Sequence, residues 1–375
     1  MQKLYETQDK PRKAFLISII SNIADATVCD ELEGLCSTLG LEIAAHEKIR
    51  VRERSSKYGI GSGKAESLSL KATELKADLI VCDWNPAPSQ QRNWEELSGV
   101  PVLDRQELII KIFADRANTR EAELQVKLAE LTYLLPRLTH KYIDLSRQRG
   151  GRYGTRGAGE TKLETDRRKI EKRITLLEKE IEQIGKQRQM QRRQRERGNI
   201  PVCAIVGYTN SGKSSLLNAL TGANVPAEDK LFATLDAVTR RFEPAQGVTV
   251  LLTDTVGFIR NLPHSLIKAF RSTLEEAALS NVLIHILDAS SPDVESAYET
   301  TISVLKELGA HEIPTFTLLN KIDLLQAGSG SESGTAGSHQ LTLEELQNVF
   351  PGSIAVCVKT GLGLDAVREK IVSMI

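Results

Sequence analysis

The stretch Gly207-Tyr208-Thr209-Asn210-Ser211-Gly212-Lys213-Ser214 places two glycines five residues apart and follows them with a lysine and a hydroxyl. That spacing suits one task. The glycines let successive backbone N–H groups turn toward a phosphate, and the helix that follows adds its positive end. Lys213 then reaches the terminal phosphates, and Ser214 offers an oxygen to a divalent cation. The surroundings agree: an apolar strand-like run, PVCAIVG, comes before the loop and an apolar-periodic helix comes after it.

Further stretches follow in the order such a site requires. Asp254-Thr255-Val256-Gly257 closes the apolar run GVTVLLTD, so a carboxylate stands ready for the cation's water shell and a glycine for the terminal phosphate. Phe232-Ala233-Thr234-Leu235-Asp236 lies between these two motifs, and Thr234 is the threonine expected to close over that phosphate and its magnesium. Asn320-Lys321-Ile322-Asp323 ends another strand-like run. Its Asp323 can accept from guanine N1 and the exocyclic amine, donors that adenine lacks there, and Asn320 is expected at the purine edge. Cys357-Val358-Lys359 stands where a guanine clamp belongs, with a backbone N–H aimed at guanine O6 and Lys359 lying along the base. The expected ligands are GTP or GDP with Mg2+. Ser214 and Thr234 would hold the metal, with Asp254 acting through water, while Lys213, Thr234 and Gly257 would carry the chemistry.

The elements that must position these residues show in the hydrophobic rhythm. Residues 199–375 alternate strand-like runs (PVCAIVG, GVTVLLTD, NVLIHILD, IPTFTLLN, SIAVCV) with helical patterns, the reading of a P-loop α/β domain. Residues 1–117 alternate similarly, with KAFLISII, LEIAAHEKI, ADLIVCDW and VPVLD separated by helices at about 25–39, 63–77, 88–98 and 104–117, which predicts a small parallel α/β domain. Between them, 118–198 is helical. Leu124, Leu128, Leu131, Leu135 and Leu138 set one seam, and Leu163, Ile170, Ile174, Leu177, Ile181 and Ile184 set another of similar length. The expectation is an antiparallel hairpin holding the loop at its tip roughly 35–40 Å from the base. The Gly/Ser-rich segment 327–339 reads as a surface insertion.

The chain is electrically neutral, with 49 Lys/Arg against 49 Asp/Glu, but the average hides a concentration. From Arg147 to Arg197 there are 17 Lys/Arg and 8 Asp/Glu, an excess of nine that the rest of the chain balances. Arg147, Arg149, Arg152 and Arg156 fall in a Gly/Arg-rich stretch at the hairpin tip, where they are suited to RNA phosphates and unpaired bases. Five scattered cysteines without CxxC spacing argue against a zinc site or a disulfide framework. No apolar run approaches the ~20 residues of a membrane span, and no signal-peptide core is evident. The expected address is the cytoplasm, in part at a membrane periphery, for a monomer that does not bind DNA.

Several phrases carry a resemblance. DRANTREAELQVKLAELTYLLPRL (115–138), GAGETKLETDRR (157–168), GYTNSGKSSLLNAL (207–220), FATLD, DTVGFIRNLPHSLIKAF (254–270) and YGIGSGKAESL (58–68) resemble the HflX family of ribosome-associated GTPases. The resemblance implies an N-terminal α/β domain, a helical linker and a GTPase domain. It further implies binding to the large ribosomal subunit near the peptidyl-transferase region and dissociation of stalled or idle ribosomes. A biogenesis GTPase acting on a precursor subunit, or a signalling protein without ribosome contact, stays open. Phe258 stands where Ras-like proteins carry a water-orienting glutamine, so slow intrinsic hydrolysis stimulated by the ribosome is expected.

A second glycine-rich loop, Gly59 to Lys64 (GIGSGK), is too short for the phosphate-loop spacing and is followed by Ala65. It reads as a helix-opening loop, with RNA or a second nucleotide as the other reading, since Arg50, Arg52, Arg54 and Lys57 flank it. Trp84 and Trp94 read as core or capping residues. His46, His140, His264, His285 and His311 show no metal-ligand spacing.

Overall fold

The structure, a computed structural model, describes residues 12–20, 28–138, 156–196, 200–225, 228, 230–260, 276–326 and 341–375. It divides into two compact units, Met1–Asp115 with Val126–Lys179 and Arg116–Gln125 with Glu180–Ile375. Segment 327–339 and Arg147, Arg149 and Arg152 lie outside the described residues.

In the first unit, β1 (Lys13–Ile20), β2 (Glu42–Arg50), β3 (Leu79–Cys82) and β4 (Val102–Asp104) form an all-parallel sheet in the order β2-β1-β3-β4. The central strands are continuous apolar runs because helices cover the sheet. These are α1 (Val28–Thr38), α2 (Ser62–Glu74), α3 (Pro88–Ser98) and α4 (Arg105–Arg116). Phe15, Ile17, Ile80, Cys82 and a fully buried Trp94 share one core, so the tryptophans serve packing. Trp94 Nε1 donates to the Tyr58 carbonyl at 2.9 Å and fastens the loop before α2. Gly61 caps α2, so GIGSGK opens a helix, and Arg50, Arg52, Arg54 and Lys57 are exposed beside it. At the carboxyl ends of these strands, Ser18 Oγ lies 2.8 Å from His46 Nε2, and His46 Nδ1 lies 2.7 Å from Glu33 Oε1. Arg105 pairs with Asp83 and Glu31 in the same region.

The helical segment departs from the expected hairpin of equal arms. Helix α5 (Arg120–Leu134) ends in a short 3-10 turn, Leu135–Arg137, whereas α6 (Arg156–Glu196) runs for 41 residues. Arg156, expected on a loop, is the first residue of α6. Glycines at a helix start cost little because the first-turn N–H groups have no helical acceptor in any case. The α5 seam is also broader than a two-helix seam. Ala122, Val126, Ala129 and Tyr133 are buried with Leu124 and Leu131, while Leu128, Leu135 and Leu138 are half-buried. Tyr133 Oη donates to Asp104 and Glu107, and Arg137 pairs with Asp104, so this face packs on a domain surface. On α6 the expected rhythm holds as a half-buried stripe through Ile170, Ile174, Ile181 and Ile184 around a buried Leu177. Between them Lys172, Arg173, Glu178, Lys179 and Glu182 are exposed, as is Leu176.

The second unit carries a six-stranded sheet in the order β10-β9-β8-β5-β7-β6. Its strands are β5 (Val202–Val206), β6 (Val238–Ala245), β7 (Val248–Asp254), β8 (Val282–Asp288), β9 (Thr315–Asn320) and β10 (Ile354–Ala355). All pairings are parallel except β6 with β7. Strand β6 was not expected; its Arg240, Arg241 and Glu243 face solvent as befits an edge strand, and Phe242 alone is buried. Helices α7 (Lys213–Thr221) and α11 (Leu364–Met374) close one face over Ile205, Leu252 and Ile284. Helices α8 (Val294–Glu307), α9 (Ile322–Gln326) and α10 (Leu343–Val349) accompany a second core around Leu287, Leu319 and Phe350. His285 is fully buried there and stacks on Tyr298 with centroids 5.1 Å apart. Burial pushes its pKa down to about 3, so it is a neutral core residue.

Candidate guanine-nucleotide site

The central strand β5 ends at Val206 and the chain turns at once through Gly207 into the loop before α7. This is the carboxyl edge of a parallel sheet, beside a strand flanked on both sides, where open α/β sheets bind ligands. Gly207 has no alternative: a Cβ there would sit 2.3 Å from the Ile286 carbonyl oxygen of the neighbouring strand. Gly207→Ala is therefore expected to lose about 1–3 kcal/mol of stability in urea unfolding and to weaken nucleotide binding. Gly212 adopts φ +99°, and Asn210 takes the left-handed region that asparagine tolerates.

Three of the expected motifs, 207–214, 232–236 and 254–257, meet around one cavity. This open cavity is lined by Thr209, Asn210, Gly212, Lys213, Ser214 and Ser215, by Glu228, Lys230, Phe232, Ala233 and Thr234, and by Gly257. Gly257 lies so close that a Cβ would stand 2.8 Å from Thr209 and 2.9 Å from Lys213 Nζ. Phe258, buried, is itself locked to the loop: the Thr209 N–H donates to the Phe258 carbonyl at 2.7 Å, and the Phe258 N–H donates to the Gly207 carbonyl at 3.1 Å. Thr255 Oγ1 donates to the Ile205 carbonyl, and Val256 is buried, so both support the backbone. Tyr208 Oη accepts from the Arg260 N–H.

Electrostatics converge on Lys213 and Asp254. Lys213 is buried and its Nζ donates to the Tyr208 carbonyl at 2.6 Å; burial lowers its pKa to about 8, partly offset by Asp254. Burial raises the Asp254 carboxyl, opposed by Lys213 and by the hydroxyls that donate to it. Ser214 Oγ donates to Asp254 Oδ2 at 2.7 Å, Thr234 Oγ1 donates to the same oxygen at 3.1 Å, and the two hydroxyl oxygens lie 2.8 Å apart. Asp254 Oδ1, Thr209 Oγ1 and Ser211 Oγ are buried and have no side-chain partner among the described residues. Ser214, Thr234 and Asp254 thus gather into one all-oxygen cluster, the ligand chemistry that Mg2+ prefers.

Asp323 lies in the first turn of α9 and accepts from the Cys357 thiol at 3.1 Å. Asn320, expected at the purine edge, also has a structural task. Its side chain is buried, its Nδ2 donates to the Ser211 carbonyl at 2.9 Å, and its Oδ1 accepts from the Val358 N–H at 3.1 Å, so it braces loop to clamp. Lys321 pairs with Asp288 at 2.7 Å, Ile322 is buried and Lys359 is exposed. In the 232–236 stretch, Phe232 and Leu235 are buried anchors on either side of Thr234, and the Asp236 carboxylate faces Asn118 and Thr119. Sequence reasoning assigned no site role to Glu228, Lys230, Ser215 and these linker residues. Ser215, Asn118 and Thr119 stand within the quoted phrases 207–220 and 115–138, Glu228 and Lys230 in none, and the folded chain is what brings them together.

Family models described as GTP-binding GTPase N-terminal, GTP-binding GTPase Middle Region and 50S ribosome-binding GTPase match residues 26–114, 116–195 and 202–321. GTPase HflX of Akkermansia muciniphila is 47% identical over 336 residues, covering 86% of this chain and 77% of that protein. The chain belongs to the HflX GTPase family. GTPase HflX of Caldanaerobacter subterraneus subsp. tengcongensis is 45% identical over 342 residues, covering 90% of this chain and 79% of its own. The crystal structure of an SsGBP and GDP complex shares 25% identity at a TM-score of 0.50, covering 96% of this chain and 98% of that one. The motif geometry is accordingly that of an enzyme that binds guanine nucleotides and hydrolyses GTP. Among the described residues, no helix of this GTPase is long and apolar enough to cross a membrane.

Proposed function

We propose that this ribosome-associated GTPase, in its GTP state, docks on the large ribosomal subunit through residues 1–117 and the basic helical segment 118–198. In that position it dissociates stalled or idle ribosomes. The GTPase domain, 199–375, times the event: ribosome-stimulated hydrolysis releases the protein. The observation that carries this reading is the excess of nine positive charges between Arg147 and Arg197. Along α6 the ion pairs Arg167–Glu171, Arg168–Glu164 and Lys186–Glu182 are solvent-exposed. Such pairs are worth ~0.5 kcal/mol or less and are readily exchanged for RNA phosphates.

In the reaction itself, water displaces the β–γ bridging oxygen at the terminal phosphorus, and GDP leaves with the developed charge. Lys213 neutralises that charge, and the Gly257 backbone senses the terminal phosphate. Ser214 and Thr234, each donating its proton to Asp254, would keep oxygen lone pairs for Mg2+, and Asp254 would accept from the metal's water. When bound, the metal would supply neutralisation of phosphate charge. Guanine selectivity falls to Asp323, with the Lys359 backbone beside it; the Val358 N–H is held by Asn320. Phe258, buried and aprotic, supplies no group to orient water, which supports slow turnover until the ribosome binds.

The test is co-sedimentation with ribosomal subunits under a GTP analogue, GDP or no nucleotide. The expected result is binding to the large subunit and loss of 70S particles with the analogue alone. Replacing Arg147, Arg149, Arg152 and Arg156 with alanine is expected to reduce binding about 10–100-fold and flatten its salt dependence by about three units. Binding to a precursor subunit without splitting would favour a biogenesis role, and unchanged co-sedimentation of the variant would remove the arginine tip from the account.

A further inference from the structure

Two carboxylates bracket Thr234, one held by the last residue of α4 and the other by the residues just before α5. Arg116 Nη2 donates to Glu228 Oε2 at 2.8 Å. The Thr119 hydroxyl donates to Asp236 Oδ1, and the Asn118 N–H donates to Asp236 Oδ2 at 3.4 Å. Thr119 is also the residue before α5. Its Oγ1 accepts from the Ala122 N–H at 3.2 Å, and its carbonyl accepts from the Glu123 N–H at 2.9 Å. One hydroxyl thus receives a bond from the helix start and gives one to Asp236, whose negative charge the helix N-terminus favours.

Asp236 stands two residues beyond Thr234, a reach of about 7 Å along the chain. The intervening Leu235 is buried, and on the other side Phe232 is buried with φ +55°, a conformation that bulky side chains rarely adopt. Anchored at both ends, this short piece cannot shift at Thr234 without pulling on Asp236. A second bridge lies farther along: Arg188 of α6 pairs with Glu121 in the first turn of α5 and with Glu276 at 3.6 Å.

We propose that Asp236 and Thr119 are positioning residues for the GTPase reaction, seating Thr234 from the linker side and tying the opening and closing of 232–236 to the cap of α5. The nucleotide state would then be readable at residues 119–123, far in sequence from any phosphate-binding motif. The inference rests on the reading of Thr234 as the hydroxyl that closes on the magnesium-bound triphosphate.

The experiment measures amide hydrogen exchange of the full chain over peptides spanning 116–125, with Mg2+ and either a non-hydrolysable GTP analogue or GDP. In the wild type, protection is expected to be about tenfold greater with the analogue, which corresponds to about 1.4 kcal/mol of added local stability. Thr119→Val and Asp236→Ala should each erase the difference, and Thr119→Ser should retain it. Bound GDP and a cooperative melt confirm that a variant is folded, and the serine variant decides the matter if either harsher one is not. Equal protection in the wild type, or a difference that survives both Thr119→Val and Asp236→Ala, overturns the proposal. Thr234→Ala separates the two readings: unchanged analogue affinity in that variant overturns the role of Thr234 itself, whatever the exchange data show.

Discussion

Lys213→Ala is expected to lower kcat/KM for GTP by about 10³-fold or more, the scale seen when a charge that stabilises the transferring phosphoryl group is removed. The argument rests on burial. Lys213 sits in the cavity with its ammonium on the Tyr208 carbonyl and near Asp254, where low polarity magnifies its attraction for phosphate. A pH signature accompanies the loss. In the free protein the Lys213 pKa is about 8, so below that pH the group is charged both free and bound and affinity is flat. Above it the free side chain is neutral, while triphosphate binding restores the charge. Binding then takes up a proton, and affinity falls by up to about tenfold per pH unit until the bound-state pKa is passed. Fluorescent-nucleotide titrations from pH 7 to 9.5 should show this slope in the wild type and not in Lys213→Ala. A flat wild-type profile would mean that some other cation receives the phosphates.

The second large effect concerns the base. Asp323→Asn is expected to weaken GTP binding about 10²–10⁴-fold and to improve binding of xanthosine triphosphate, measured by direct competition. Guanine presents two donors to this carboxylate, and bonds to a charged acceptor contribute about 1.5–3 kcal/mol each. The Cys357 thiol already occupies Oδ1 of Asp323. In the asparagine variant that oxygen keeps the thiol, so the amide nitrogen is the atom turned to the base. An N–H group there repels the exocyclic amine of guanine but suits the carbonyl that xanthine carries at the same position. If GTP and xanthosine triphosphate compete equally well in the wild type and the variant, Asp323 does not read the base.

Much of the chemistry was legible because each motif is short and continuous. The glycine spacing in 207–214 and the carboxylate at the end of β7 are properties of neighbouring residues, and β1 coincides with KAFLISII. What escaped depends on long-range packing. Strand β6 alternates poorly because its outer residues are charged as an edge demands, leaving no apolar rhythm to read. The run SIAVCV yields only a two-residue strand, Ile354–Ala355, since Cys357 turns back to pair with Leu362 and to reach Asp323. The leucine seam of α5 predicted a narrow two-helix contact, but Tyr133 and Arg137 reach Asp104 and so turn a wider face inward. Pairings such as Thr119 with Asp236, separated by 117 positions, join residues of ordinary type that no spacing rule connects.

The brace formed by Asn320 has a thermodynamic corollary. A single amide spans the Ser211 carbonyl and the Val358 N–H, so on the proposed reading base-side and phosphate-side recognition would share one rigid strut. Fragments of the ligand should consequently bind with strong synergy: guanosine and pyrophosphate added together would each tighten the other's hold, and severing the strut would leave two independent, weaker pockets.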